Sequence, residues 1–135
     1  MVRLFFVLVL LVSFNLHALD LKKPQQVIMM DFETGEVLVS KNADEKCFPS
    51  SMTKIMTAYL IFEKLDAGEL KSSDEFNVSV NAWKQEGSRM FLLPNTRVTV
   101  DDLLQGLLVQ SGNDAAIVLA EGSEGSVENF VNAMN

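Results

Sequence analysis

Ser51 and Lys54 stand three residues apart in "FPSSMTKIMTAYLIFEKL", residues 48–65. Side chains three apart on a helix share a face, one turn from each other, so a hydroxyl and an amine meet there if the stretch is helical. A serine hydroxyl is a weak nucleophile until a base removes its proton. An amine serves as that base only after losing its own proton, which burial among apolar groups favours. The neighbours supply such groups. Met52, Ile55, Met56, Ala58, Tyr59, Leu60, Ile61 and Phe62 make the helix apolar nearly all round, the pattern of a helix that runs through a core. Its N-terminus would also bring backbone N–H groups beside Ser51, a place for a developing oxyanion. By itself S-x-x-K fits a capped helix whose lysine reaches out to water equally well.

The rest of the composition narrows the choice of base. The first eighteen residues, "MVRLFFVLVLLVSFNLHA", have a positive start at Arg3, an apolar run from Leu4 to Val12 and a small residue, Ala18, where cleavage would fall. They read as a secretory signal peptide. Leu16 is larger than the residue usually found three before the cut, and an uncleaved anchor is the rival reading. The apolar run is short for a bilayer span, which favours cleavage. His17 is the sole histidine and leaves with the leader. A mature chain without histidine builds no Ser-His-Asp triad, no Cys-His pair and no histidine-rich zinc site. A serine hydrolase made from it needs a base of the lysine type. Cys47 has no second cysteine to pair with and no histidine to activate it, so it reads as a bystander. The mature part holds ten basic residues against eighteen acidic ones, a formal charge of −8. So acidic a chain, its charge scattered and not in blocks, is a poor partner for nucleic acid.

A second hydroxyl and an amide stand in "VQSGNDAA", where Ser111, Gly112 and Asn113 interrupt a helical pattern. A turn with a helix cap explains the triplet. Set against Ser51 and Lys54, Ser111 would relay a proton, and Asn113 would hydrogen-bond a substrate amide or orient Lys54. Arg89 in "GSRMFL" reads as a surface arginine, with an anionic substrate as the functional alternative. Trp83 reads as a packing anchor and the methionines as core filler.

The elements that must position these residues follow from local pattern. Val27–Asp31 and Glu36–Ser40 flank "FETG" as a hairpin, with Gly35 in the turn. A helix capped by Ser50 or Ser51 runs to about Leu65. Glu75–Val80 alternates as a strand, and "RVTV" is a further extended piece. Thr99 caps the next helix, with Asp102 closing a capping-box-like turn. After "SGN" a helix resumes at Asp114, "GSEGS" reads as a loop, and a last amphipathic helix presents Val127, Phe130, Val131 and Met134 on one side. Strands and helices in this order predict an α+β fold, with helices mixed with antiparallel sheet, or a mixed α/β one.

Taken together, these segments resemble the penicillin-binding serine D-alanyl-D-alanine carboxypeptidases of low molecular mass, in the penicillin-recognising serine hydrolase superfamily. "SSMTKIMTAY" is similar to their S-x-x-K segment and "LLVQSGNDAA" to their S-x-N segment. "GSRMFL", "VIMMDFETGEVLVSKNAD" and the leader are similar to the corresponding stretches. The resemblance implies a beta-lactamase/D,D-peptidase-like catalytic domain over residues 19–135, after a signal peptide over 1–18. It implies that Ser51 is the nucleophile, Lys54 its base, Ser111 an aid to proton transfer and Asn113 a contact to the substrate backbone. The implied substrate is a peptidoglycan stem peptide ending in D-Ala-D-Ala, and beta-lactams acylate the same serine. No metal or cofactor is implied. The implied location is the periplasm or cell envelope, on the outer face of the cytoplasmic membrane, with membrane association through a C-terminal anchor that these residues lack. One departure matters: the family's K-T-G or K-S-G triplet, which lines the cleft on a strand, does not occur in this sequence. The expectation is therefore an N-terminal part of the catalytic domain, inactive by itself. The alternatives are a serine beta-lactamase of the same superfamily, whose second motif is usually S-D-N, and a non-catalytic fragment or secreted interaction protein with an accidental S-x-x-K.

Overall fold

Asp31 makes the first turn. Its carboxylate accepts from the backbone N–H groups of Glu33 and Thr34, at 3.1 and 2.7 Å, and from the Thr34 hydroxyl at 2.7 Å. These bonds, the Thr34 hydroxyl foremost, favour the ionised form and hold the Asp31 carboxyl below its ordinary value. Gly35 closes the turn at φ +73. The hairpin that follows is β1 (Val27–Met30) with β2 (Val37–Lys41), antiparallel, Val27 opposite Lys41, with a bulge between Met29 and Met30. Asp31 and Glu36, expected in the strands, belong to the turn, where the Asp31 N–H donates to the Glu36 carbonyl at 2.8 Å. Ile28, Met29, Met30, Val37 and Leu38 are exposed, so neither face of this ribbon is covered among the described residues.

The computed structural model describes residues 23–135, and the expected signal peptide lies outside the described residues. The chain divides into two compact units, one through Phe48 and the other Pro49–Asn135. The second unit is α+β: a small antiparallel sheet of β3 (Glu75–Asn77) and β4 (Arg97–Thr99), and the helices α1 (Thr53–Asp66), α2 (Val80–Trp83), α3 (Val100–Val109), α4 (Asn113–Glu124) and α5 (Val127–Met134). Phe76 stands opposite Val98 in the sheet. Helix α4 is the hub, in contact with α1, α2, α3, α5 and β3. Ala115, Val118 and Leu119 of α4 are fully buried, and Ile61 of α1, Leu103 and Leu107 of α3 and Phe130 of α5 close around them. Phe130, with Val127 and Met134 packed against the same core, supplies most of the apolar side expected of the last helix, but Val131, expected with them, is exposed. Among the described residues no helix is long and apolar enough to cross a membrane.

Four expectations need correction. Neither Ser50 nor Ser51 caps α1: both lie in a 3-10 turn, Ser50–Met52, and no side chain caps either element. Helix α1 does not run through a core made by the described residues. It buries Thr57, Ala58 and Ile61 on one stripe and leaves Ile55, Met56, Tyr59 and Phe62 exposed, as is Met52 in the turn before it. The strand expected to reach Val80 stops at Asn77, because Ser79 accepts from the Ala82 N–H at 2.9 Å and starts a helical turn instead. The expected "GSEGS" loop is helical through Glu124. There Ser123 donates to the Leu119 carbonyl at 2.7 Å, and Glu124 pairs with Lys64 of α1 at 2.6 Å. Thr99 does cap α3, accepting from the Asp102 N–H at 3.1 Å, while its hydroxyl donates to the Asp102 carboxylate at 2.7 Å.

Gly122 explains why a glycine survives inside α4: a Cβ there would lie 2.2 Å from Phe76 Cγ, an atom too near its own backbone to swing away. Gly122→Ala gains helix propensity of about 1 kcal/mol but overpacks against β3 at a cost of ~1–3 kcal/mol. The expected net effect is destabilisation, read as a lower urea midpoint; an unchanged or higher midpoint counts against this packing. The Lys64–Glu124 pair carries a pH signature. The hydrogen bond to Glu124, opposed by a smaller effect of partial burial, raises the Lys64 ammonium above its ordinary value of 10.5. Its stabilisation is full below that value and is lost as pH climbs through the raised one. Glu124→Gln is therefore expected to cost roughly 0.3–1 kcal/mol near neutral pH, with the gap to the parent closing in strongly alkaline solution.

Candidate active site

The 3-10 turn after Pro49 presents Ser51 at the surface, one turn before Lys54. Ser50 reaches that turn through the left-handed region, at φ +50, a conformation that costs a non-glycine residue free energy. Lys54 is half-buried. Its amine lies 3.5 Å from Ser51 Oγ and donates to Asn113 Oδ1 at 2.6 Å. The first distance is long for a hydrogen bond; catalytic contacts commonly shorten only when substrate is present. The N–H of Met52 is already taken by the Pro49 carbonyl at 3.1 Å. Of the helix-end donors expected beside Ser51, that one is not free for an oxyanion. A cleft of about 390 Å³ joins Ser51, Lys54 and Asn113, with Thr57 and Gln85 on its walls.

Asn113 opens α4, after Gly112 in the N-cap position. Its amide is gripped at both ends. Oδ1 takes the Lys54 amine, and Nδ2 donates to the Glu86 carbonyl at 2.6 Å. Its backbone N–H donates to the Ser88 carbonyl at 2.8 Å. The next residue, Asp114, is 1% exposed. Its carboxylate accepts from the backbone N–H groups of Met90 (3.0 Å), Leu92 (3.1 Å) and Ala115 (2.9 Å). The Ser88 hydroxyl donates to the Gln110 carbonyl. The loop 86–92 is thereby tied to the start of α4 along its whole length.

Ser51, Lys54 and Asn113, three of the residues singled out by pattern, are together. Ser111 is close in sequence but does not join them: its hydroxyl makes no hydrogen bond among the described residues, and it does not line the cleft. It holds φ +57 at the break between α3 and α4. Arg89 is not a plain surface arginine. It is half-buried, its guanidinium lies 5.1 Å over the Phe91 ring, and its Nε is buried without a hydrogen-bond partner. Trp83 is too exposed for an anchor, at 44%. Met90 fills the core as expected, set against Gly106, but Met52 and Met56 are exposed. Cys47 is exposed and unpaired. Sequence reasoning missed Thr57, although it stands three residues after Lys54 on the same face. It read Asp114 as a helix start only, and nothing local signals that this carboxylate is buried.

The family described as D-alanyl-D-alanine carboxypeptidase matches residues 15–135. The chain belongs to that family. It is 44% identical over 111 residues to the D-alanyl-D-alanine carboxypeptidase DacF of Bacillus subtilis, a match covering 82% of this chain and 28% of that protein. The crystal structure of the D-alanyl-D-alanine carboxypeptidase DacD from Francisella tularensis superposes with a TM-score of 0.73 at 37% identity, over 87% of this chain and 28% of the other. Penicillin binding protein 5 from Haemophilus influenzae gives a TM-score of 0.72 at 40% identity, over 82% and 33%. The chain therefore spans 28–33% of the length of these three relatives. Its α+β unit is part of the family's fold.

Asp114→Asn tests what ties the family's second segment to the loop before it. The amide keeps the shape but loses one acceptor, leaving the Met90 or Leu92 N–H against an NH₂ group. A buried donor without a partner costs ~1–3 kcal/mol. The variant is expected to unfold at lower denaturant, with faster hydrogen exchange at the Met90 and Leu92 amides. Unchanged protection of both amides would show that the carboxylate does not hold the loop.

Proposed function

We propose that Ser51 and Lys54 are the nucleophile and base of a serine-type D-alanyl-D-alanine carboxypeptidase that trims the terminal D-alanine from peptidoglycan stem peptides. The observation that carries the proposal is the Lys54 amine, held by Asn113 Oδ1 at 2.6 Å on the same helical face as Ser51 Oγ. Membership of the family supplies the reaction class. Ser51 Oγ attacks the carbonyl carbon of the penultimate D-alanine while its proton passes to Lys54 Nζ. The tetrahedral intermediate collapses, the C–N bond breaks, and the departing amine of D-alanine takes that proton. Water then hydrolyses the Ser51 ester and releases the shortened peptide. Asn113 orients Lys54, and since its Nδ2 has two N–H bonds, one remains for a substrate carbonyl after Glu86 has taken the other. Ser111 is the further hydroxyl that this reading assigns to proton transfer, on the resemblance of the S-G-N segment to the family's S-x-N.

A beta-lactam carries a strained amide that opens on Ser51 without releasing a separate leaving group, so the acyl-enzyme persists. The penicillin-binding name of the Haemophilus relative supports this class of inhibitor. The substrate lies outside the cytoplasmic membrane, and the leader-like residues 1–18 support export to the periplasm or cell envelope. The sequence holds no K-T-G or K-S-G triplet to form the facing wall.

Incubation with fluorescent penicillin, followed by denaturing gel, checks this. The parent chain is expected to take up label slowly, and Ser51→Ala none. Label retained in Ser51→Ala, or no label on the folded parent, would sink the assignment.

A further inference from the structure

We infer that Gly87 is a positioning residue: the absence of a side chain there lets the loop 86–88 close on the Asn113 amide and fix the oxygen that holds Lys54. The inference rests on the Ser51–Lys54 reading for its catalytic meaning, but its geometry is independent of it. Glu86 and Ser88, on either side of Gly87, each give a carbonyl to Asn113, at 2.6 Å to Nδ2 and 2.8 Å to the backbone N–H. A chain that wraps one residue so closely has to turn between the two carbonyls, and Gly87 does so at φ +82. A Cβ built on Gly87 would lie 3.0 Å from Asn113 Nδ2, the atom that donates to Glu86. That is tighter than the ~3.5–4.0 Å of an ordinary contact. The amide would have to give way by a few tenths of an ångström, and Oδ1, rigidly attached across the same carboxamide, would move with it. Gly87 does not line the cleft that joins Ser51 and Lys54, and Asn113 Nδ2 is what its Cβ would meet, so it is placed to act through Asn113.

Backbone strain and loss of positioning are separable because the chain supplies a control. Gly68 also has positive φ, +72, and a Cβ there would meet nothing within 4 Å. Gly68→Ala carries the strain without the contact. Gly87→Asn carries the contact with less strain, since asparagine enters the left-handed region more readily than alanine. The measurement is the side-chain NH₂ of Asn113 by proton–nitrogen NMR, assigned through its loss in Asn113→Asp, together with the rate of labelling by fluorescent penicillin. In the parent and in Gly68→Ala the Glu86-bonded Asn113 proton is expected to be downfield and slow to exchange. In Gly87→Ala and Gly87→Asn it is expected to shift upfield and lose protection. Labelling should fall roughly tenfold in both, a fraction of the ~10²-fold that a misplacement of ~1 Å can cost. An Asn113 signal unchanged in Gly87→Asn, or changed equally in Gly68→Ala, would overturn the inference. If the parent takes up no label, the Ser51 assignment fails and the NMR comparison still decides the role of Gly87.

Discussion

Asp114 carries a carboxylate into the interior, and a buried carboxylate needs donors around it. The donors it finds are backbone N–H groups of Met90 and Leu92, from a loop more than twenty residues upstream, and of Ala115 beside it. That requirement fastens the loop 86–92 across the start of α4. Once the loop is there, the Glu86 and Ser88 carbonyls meet Asn113, and Asn113 can hold Lys54. The site is a chain of dependence that runs from a buried carboxylate through the loop and Asn113 to Lys54, with the exposed serine 3.5 Å beyond.

The chemistry gains from this order. A lysine on a helix has four freely rotating side-chain bonds, and an amine that wanders makes a poor partner for a hydroxyl one turn away. Asn113 removes that freedom through a neutral oxygen, which takes a donor from the amine and adds no charge of its own. The same helix leaves Ile55, Met56, Tyr59 and Phe62 exposed. One stripe of α1 is thus committed to α3 and α4, and the remainder of its apolar surface is uncovered among the described residues.

Elements whose signal is local were legible. The hairpin turn at Asp31–Gly35, the Thr99 cap and the buried Phe130 face of the last helix all follow from residues within one or two turns of each other. The failures have two causes: a distant partner that overrides a local preference, and two local signals that compete. "GSEGS" carries loop composition, yet Lys64 pairs with Glu124 and Phe76 occupies the space beside Gly122, so the helix continues. Val80 continues an alternating run, yet Ser79 caps a new turn. Helix α1 is apolar all round, and composition cannot say which side finds a neighbour.

For the site itself, the division falls between period and packing. The type and spacing of Ser51 and Lys54, the absence of any histidine after His17 and the S-G-N break were settled by the sequence, because three residues on a helix are one turn whatever surrounds them. The contact between Lys54 and Asn113 joins residues 59 apart in the chain. It exists because α4 packs on α1 and because a buried Asp114 draws the intervening loop over both. No periodicity encodes that, and no local pattern separates Asn113, inside the cluster, from Ser111, two residues away and outside it. Only the tertiary structure decides which polar groups of a motif face one another, because burial and backbone donors from elsewhere in the chain select among rotamers and loop paths that the sequence alone leaves equally open.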